Sequence, residues 1–180
     1  MNFEKQIIEG VYLIKPDVYV DERGYFFESF RKSILTKKFN KKFIQDNVVF
    51  SKYANVIRGL HYQLDEEQCK LIHVVSGEIK DVIVDLRKDS PSFGDSLSFN
   101  LNSENHHILL VPEGFAHGYL VLKKNTIVSY KCTNYYNPDK EFGIKWNDPD
   151  INIYWGTTSP IISDKDKCLP LLNQQTNLPK

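Results

Sequence analysis

The stretch from Val56 to Gln63, "VIRGLHYQ", sets a guanidinium, Arg58, and an imidazole, His61, into an otherwise apolar run around one glycine. A buried cation without a partner costs several kcal/mol, so the pair needs partners or a use. Lys70 follows shortly after, which makes three chargeable groups close along the chain. One reading is acid/base chemistry, with His61 moving a proton beside two cations. The other is a core histidine whose nitrogens are both satisfied, with Arg58 and Lys70 at the surface. Residue types alone leave both readings open.

Other chemistries find less support. The five histidines, His61, His73, His106, His107 and His117, form no HxH pair followed by a nearby Glu. His106 and His107 are adjacent, so on a strand they point to opposite faces, and no metal site is expected. There is no GxGxxG and no P-loop, hence no sign of a Rossmann or Walker nucleotide site. Cys69, Cys132 and Cys168 are odd in number and widely spaced, which indicates neither a disulfide framework nor a zinc knot.

A chain of 180 residues suits one domain with a sizeable core, here 1–180, in which these groups must be held. Lys plus Arg equals Asp plus Glu at 23 each, so no field of one sign attracts nucleic acid or an anionic membrane. An anionic ligand must be gripped locally. The opening "MNFEKQIIEGVYLI" lacks the features of a signal peptide, and no apolar run approaches ~18 residues, so a soluble, cytoplasmic chain is expected.

Short strand-like runs broken by Gly, Pro, Asn and Asp extend almost to the end: "GVYLIKP", "YFFESF", "KLIHVVSGEIKDVIVDLR", "HHILLVP", "FAHGYLVL" and "TIVSYKCTNYY". Their pattern predicts an all-β sandwich or barrel. One helix is expected, over Arg31 to Phe39, with its lysines on a solvated face. In "GEIKDVIVDLR" strand alternation puts Lys80, Val82, Val84 and Leu86 on one side and Ile79, Asp81, Ile83, Asp85 and Arg87 on the other. The acid-bearing face meets solvent in a sandwich or lines a polar cavity in a barrel. Gly77 is expected at φ > 0 in a hairpin turn. The polar tail after Leu172 is expected to be loosely held.

Seven blocks in order, "DERGYFFESF", "QDNVVFS", "VIRGLHYQ", "KLIHVVSGEIKDVIVDLRKDSPSFG", "VPEGFAHGYLVL", "YKCTNYYNPDKEFGIKWNDP" and "SDKD", resemble the dTDP-4-dehydrorhamnose 3,5-epimerase family from about Gly10 to Leu172. "SKYANVIRGLH" departs from the pattern by one extra residue before the Arg. The resemblance implies a cupin-type jelly-roll β-barrel with short helices. It also implies a homodimer with no metal and no cofactor, and a nucleotide-diphosphate 4-keto sugar as substrate. In that sugar C3 and C5 both flank the C4 carbonyl.

By the family pattern His61 corresponds to the base and Asp166 of "SDKD" to the partner that orients its ring. Lys70, with Arg58 nearby, is similar to the group that stabilises the enolate. The need for one is physical: a proton beside a ketone is many pK units less acidic than an imidazolium, and each unit of mismatch costs about 1.4 kcal/mol. Tyr130 of "SYK" matches an acid that returns the proton to the opposite face of the sugar. Asp81 matches an active-site acid, which favours the cavity reading of its strand face. Arg23, Glu28, Gln45 and Asn47 resemble residues that hold nucleotide and diphosphate, in part across the dimer. His117, Glu141 and Lys165 are similar to further ligand contacts, and Tyr136 to an aromatic that stacks on the base.

Rival expectations keep the fold and change the outcome: a GDP-linked 4-keto-heptose or other 4-keto sugar, or inversion at one carbon only. A non-catalytic carbohydrate-binding cupin would need no combination of His61, Asp166, Lys70 and Tyr130.

Overall fold

Alternation of apolar and polar residues yields antiparallel β-structure almost throughout the computed structural model, which describes residues 1–179. In chain order the strands are β1 (Asn2–Lys5), β2 (Tyr12–Lys15), β3 (Val18–Asp21), β4 (Gly24–Phe27), β5 (Gln45–Ser51), β6 (Ile57–Gln63) and β7 (Lys70–Ser76). They continue as β8 (Glu78–Asp85), β9 (Ser96–Asn102), β10 (Ile108–Val111), β11 (Phe115–Val121), β12 (Thr126–Cys132) and β13 (Glu141–Gly143). Two short helices, α1 (Lys32–Phe39) and α2 (Asp164–Lys167), lie outside the sheets.

A six-stranded sheet in the order β1-β2-β10-β7-β12-β5 faces a five-stranded sheet in the order β13-β6-β11-β8-β9. Together they form a cupin-like jelly roll, and β3 and β4 make a separate hairpin. Among the described residues no helix is long and apolar enough to cross a membrane. Gly77 turns β7 into β8 at φ +85°, as expected, and a Cβ there would stand 2.1 Å from Thr126 Oγ1.

Three apolar clusters hold these layers. Between the sheets, Ile72, Val74, Ile83, Leu109, Phe115 and Val128 fill the barrel interior. Val82, Val84 and Leu86 lie beneath Trp155 and Ile144 on the outer face of the five-stranded sheet. On the outer face of the other sheet, Leu71, Ile108 and Leu110 pack under Leu35 of α1. Each fully buried Leu or Ile contributes about 1.5–3 kcal/mol relative to exposure. The helix begins one residue inside the expected span, with Arg31 as its N-cap.

Two expectations need correction. The split of β8 into faces is as the alternation predicts, but only Asp81 of its acids serves the interior wall of the site. Asp85 instead closes the following turn, accepting from Arg87 Nε at 2.9 Å, Ser90 Oγ at 2.6 Å and Ser92 Oγ at 2.7 Å. The tail after Leu172 is docked rather than loose. Tyr62 Oη donates to the Asn177 carbonyl, Gln175 Nε2 donates to the Gly143 carbonyl at 3.1 Å, and Leu178 packs against the outer cluster. A polar segment can be held by hydrogen bonds to groups that are distant in sequence, which composition does not reveal.

Asp85 makes the first prediction. Burial works to raise its pKa, but the Arg87 and serine hydrogen bonds outweigh it and bring the value from 3.8 to about 2. A depressed carboxylate stabilises the fold above its unfolded pKa, and that contribution is lost as pH falls through the folded value. Asp85→Asn is therefore expected to cost about 2 kcal/mol at neutral pH, about 4–8 °C in Tm. The difference from the wild type should close as pH falls from about 4 toward 2, as thermal melts across that range would record. Equal melting temperatures at pH 7 would overturn this account of the turn.

Candidate active site

The two sheets enclose a cavity of about 790 Å³ at one end of the barrel, within the usual range for small-molecule sites. Arg58, His61, His117 and Tyr119 line it from the five-stranded sheet, on β6 and β11. Lys70, Tyr130, Gln45 and Asn47 line it from the opposite sheet, on β7, β12 and β5.

Strand geometry explains how Arg58 and His61 reach the same space. Three positions apart on a regular strand, they would face opposite sides. The register of β6 with β11 pairs His61 with His117 and Arg58 with Tyr119, so three steps on β6 match two on β11. One extra residue is thus accommodated as a bulge, which brings both side chains to the cavity. Gly59, at φ +105°, makes this possible. A Cβ there would lie 2.6 Å from the His117 carbonyl oxygen and 2.7 Å from Gly118 Cα.

His61 Nε2–H donates to Asp166 Oδ1 at 2.7 Å. An ionised carboxylate only accepts, so this contact assigns the tautomer and leaves the lone pair on Nδ1. Asp166 is brought there by α2, whose N-cap Ser163 accepts from the Asp166 amide at 3.1 Å. Its second oxygen accepts from the Gly59 amide at 3.2 Å. Burial works to raise the Asp166 pKa, but the bonds from His61, Gly59 and Ser163 prevail and hold it below the ordinary value. It stays a carboxylate that can steady an imidazolium.

Glu141 Oε1 lies 3.8 Å from His61 Nδ1. Its other oxygen accepts from Lys165 Nζ and from Tyr136 Oη, the latter at 2.9 Å. Burial opposes ionisation of Glu141, yet Lys165, His61 and Tyr136 together lower its pKa. The Tyr136 amide donates to Gln45 Oε1 at 2.8 Å, and Gln45 Nε2 donates to Asn47 Oδ1 at 3.0 Å. Gln45, Asn47, Tyr136, Glu141 and Lys165 therefore form one hydrogen-bonded side of the cavity.

Lys70 is half-buried in the facing wall, and among the described residues its ammonium has no hydrogen-bond or ion-pair partner. Burial lowers its pKa, while Cys132, Glu141 and Asp81 partly restore it. An unpaired cation in a partly desolvated wall is suited to meet charge that appears only during reaction. Tyr130 is also half-buried, and burial raises its phenol pKa, which keeps it a proton donor near neutral pH. Arg58 sits at the mouth, its Nε 3.4 Å from Ser51 Oγ.

Asp81 is fully buried behind the cavity lining, where its Oδ2 accepts from His117 Nε2 at 2.8 Å. Burial raises its pKa against the pull of His117 and Lys70. Arg23 and Glu28 are not brought to this cavity. Arg23 pairs with Asp21 at 2.6 Å on the exposed β3–β4 hairpin, and Glu28 pairs with Arg31 just beyond it.

Sequence reasoning missed Ser51, Gln68 and Tyr119 among the lining residues. For Tyr119 the signal was present: it lies two positions after His117 in "FAHGYLVL", hence on the same face of one strand. Among the described residues, no group of three or more His, Cys, Asp or Glu side chains is arranged to hold a metal ion.

A family model described as dTDP-4-dehydrorhamnose 3,5-epimerase matches residues 5–174. A protein of that name from Methanothermobacter thermautotrophicus is 46% identical over 170 residues, covering 92% of this chain and 91% of its own. The crystal structure of a dTDP-4-dehydrorhamnose 3,5-epimerase from Bacillus anthracis with TDP and PPi bound superposes at a TM-score of 0.92. It is 47% identical, covering 95% of this chain and 99% of that one. A dTDP-6-deoxy-D-glucose-3,5-epimerase from Legionella pneumophila, in complex with dTDP-4-keto-L-rhamnose, superposes at 0.94 with 39% identity, covering 99% and 97%.

Proposed function

The chain belongs to the dTDP-4-dehydrorhamnose 3,5-epimerase family and is an isomerase acting on nucleotide sugars, and from that premise we propose how its residues carry the reaction. The substrate is dTDP-4-keto-6-deoxyglucose, inverted at C3 and C5. One observation carries the mechanism: His61 and Tyr130 project into a single cavity from opposite sheets. Inversion requires a proton to leave one face of a carbon and another to arrive on the other face, and two facing walls supply that.

His61 Nδ1 takes the proton from the carbon beside the ketone, and the electron pair of the C–H bond moves into the enolate. Asp166 holds the imidazolium that forms. The Lys70 ammonium stabilises the enolate oxygen, an effect of about 10²–10³-fold for one fixed donor. Tyr130 Oη then protonates the opposite face. The resulting phenolate and imidazolium return to their starting forms by proton transfer through solvent. The same cycle operates at each of the two carbons, since both flank one carbonyl.

Exposed apolar residues support a homodimer. Val48 and Phe50 stand out on β5, an edge strand of its sheet, and Val20 and Phe26 on the β3–β4 hairpin. Such a row of apolar groups beside an open edge favours pairing with a second copy. The hairpin bearing Arg23 would then reach the partner's cavity, and Glu28 next to it would follow, as the family pattern implies.

Incubation with dTDP-4-keto-6-deoxyglucose in heavy water tests the reading, with NMR following C3 and C5. Deuterium is expected at both carbons, and none at either would overturn it. Deuterium at one carbon only, with the product inverted there, would establish single-centre inversion instead. Tyr130→Phe is expected to slow formation of inverted product by about 10²-fold while proton removal falls less. Equal loss of both would remove Tyr130 from the role of acid.

A further inference from the structure

Two polar atoms on the interior faces of β8 and β11 have no partner among the described residues: the phenol oxygen of Tyr119 and Oδ1 of Asp81. Tyr119 is 5% exposed and Asp81 0%, and the two residues stand directly opposite each other on β11 and β8. Residues paired in this way across antiparallel strands share one face, with Cβ atoms about 4.5–5.5 Å apart. Tyr119 lines the cavity beside His117, their ring centroids 6.2 Å apart. Asp81 is tied to the same His117 through its other oxygen.

A buried hydroxyl or carboxylate oxygen left without a hydrogen bond costs about 1–3 kcal/mol. Phenylalanine would fill the Tyr119 site without that cost, and the two groups do not satisfy each other. What they lack is a molecule that accepts from a phenol and donates to a carboxylate, and an alcohol does both. We propose that Tyr119 and Asp81 together bind a ring hydroxyl of the 4-keto sugar, with Tyr119 Oη donating to its oxygen and Asp81 Oδ1 accepting its proton. This rests on the nucleotide-sugar reading above. Both atoms are covered as the ring stands, so binding a hydroxyl there requires the Tyr119 ring to tilt into the cavity that it lines.

The arrangement gives a basis for selecting the sugar. A site with buried groups that need a substrate hydroxyl rejects analogues lacking it strongly, because the groups are then desolvated for nothing. Gln45 and Asn47, which resemble nucleotide contacts, stand on β5 of the opposite sheet, so dTDP binding should be insensitive to Tyr119.

Tyr119→Phe removes a single oxygen, and its activity is read by deuterium entry at C5 of dTDP-4-keto-6-deoxyglucose and of its 2-deoxy and 3-deoxy analogues. On the parent sugar kcat/KM is expected to fall about tenfold or more, equivalent to about 1.4 kcal/mol. The Kd for dTDP should stay within about twofold, and Tm should be equal or higher, since an unpartnered group is removed. With the analogue lacking the recognised hydroxyl, variant and wild type should be equal. The wild type itself should prefer the parent sugar over that analogue by about tenfold or more, a measurement that needs no variant.

Parent-sugar kcat/KM within twofold of wild type would overturn the proposal, as would an equal loss on all three sugars. A wild type that exchanges no deuterium into the parent sugar would instead remove the functional reading, and this inference with it.

Discussion

Asn in place of His61 is expected to abolish deuterium entry at both C3 and C5, with turnover reduced by about 10³-fold or more. A positioned general base contributes about 10²–10⁴-fold, and in the proposed cycle one imidazole serves both carbons. Asn retains an N–H that can donate to Asp166, so the carboxylate is not left wholly unpaired and the fold should survive. Retained binding of dTDP would show that the cavity is intact. Wild-type exchange at either carbon in the variant would show that a second base works there, and the single-base cycle would fail.

Lys70→Met makes the second large effect, a loss of about 10²–10³-fold in kcat with smaller change in dTDP affinity. Methionine keeps an apolar stem of similar length and takes away only the charge. The pH profile supplies a readout that packing alone would not move. In the proposed role Lys70 acts as the ammonium, so activity should be lost as pH rises through its folded pKa, and burial sets that value below the ordinary one for lysine. The alkaline limb should therefore come early in the wild type and disappear from the residual activity of the variant.

Stability should move the other way. A lysine whose pKa is depressed by burial disfavours the folded state while it is charged, so Lys70→Met is expected to keep or raise Tm at neutral pH. Wild-type kcat in this variant would exclude Lys70 from the stabilisation of the enolate.

Much of the fold was legible because strands write their faces into the chain with a period of two. The alternation in "GEIKDVIVDLR" separated Asp81 from Val82 and Val84, as the structure does, but left open whether the acid-bearing face met solvent or a cavity; the family resemblance favoured the interior, where Asp81 is buried. Alternation says which face Asp85 takes but not what it does there, closing a turn through Arg87, Ser90 and Ser92. Polar composition was no better guide to the tail, where Asn177 and Gln175 find hydrogen-bond partners on β6 and β13.

The candidate site divides in a similar way. Residue types alone left His61, Arg58 and Lys70 open between chemistry and structure, and only the resemblance carried by the ordered motifs pointed to His61, Asp166, Lys70 and Tyr130 as a set. Which of them face one another depends on contacts between residues far apart in the chain. His61 and Asp166 are 105 positions apart and meet at 2.7 Å. Tyr130 confronts His61 only because two sheets close over one cavity.

In "VIRGLHYQ" the chain specifies the guanidinium, the imidazole and the glycine between them. A strand of regular period would send Arg58 and His61 to opposite faces. The one-residue bulge against β11, permitted by Gly59 at φ +105°, turns both toward the cavity. That register is set by packing between strands, a property of the folded sheet that no local run of residues encodes.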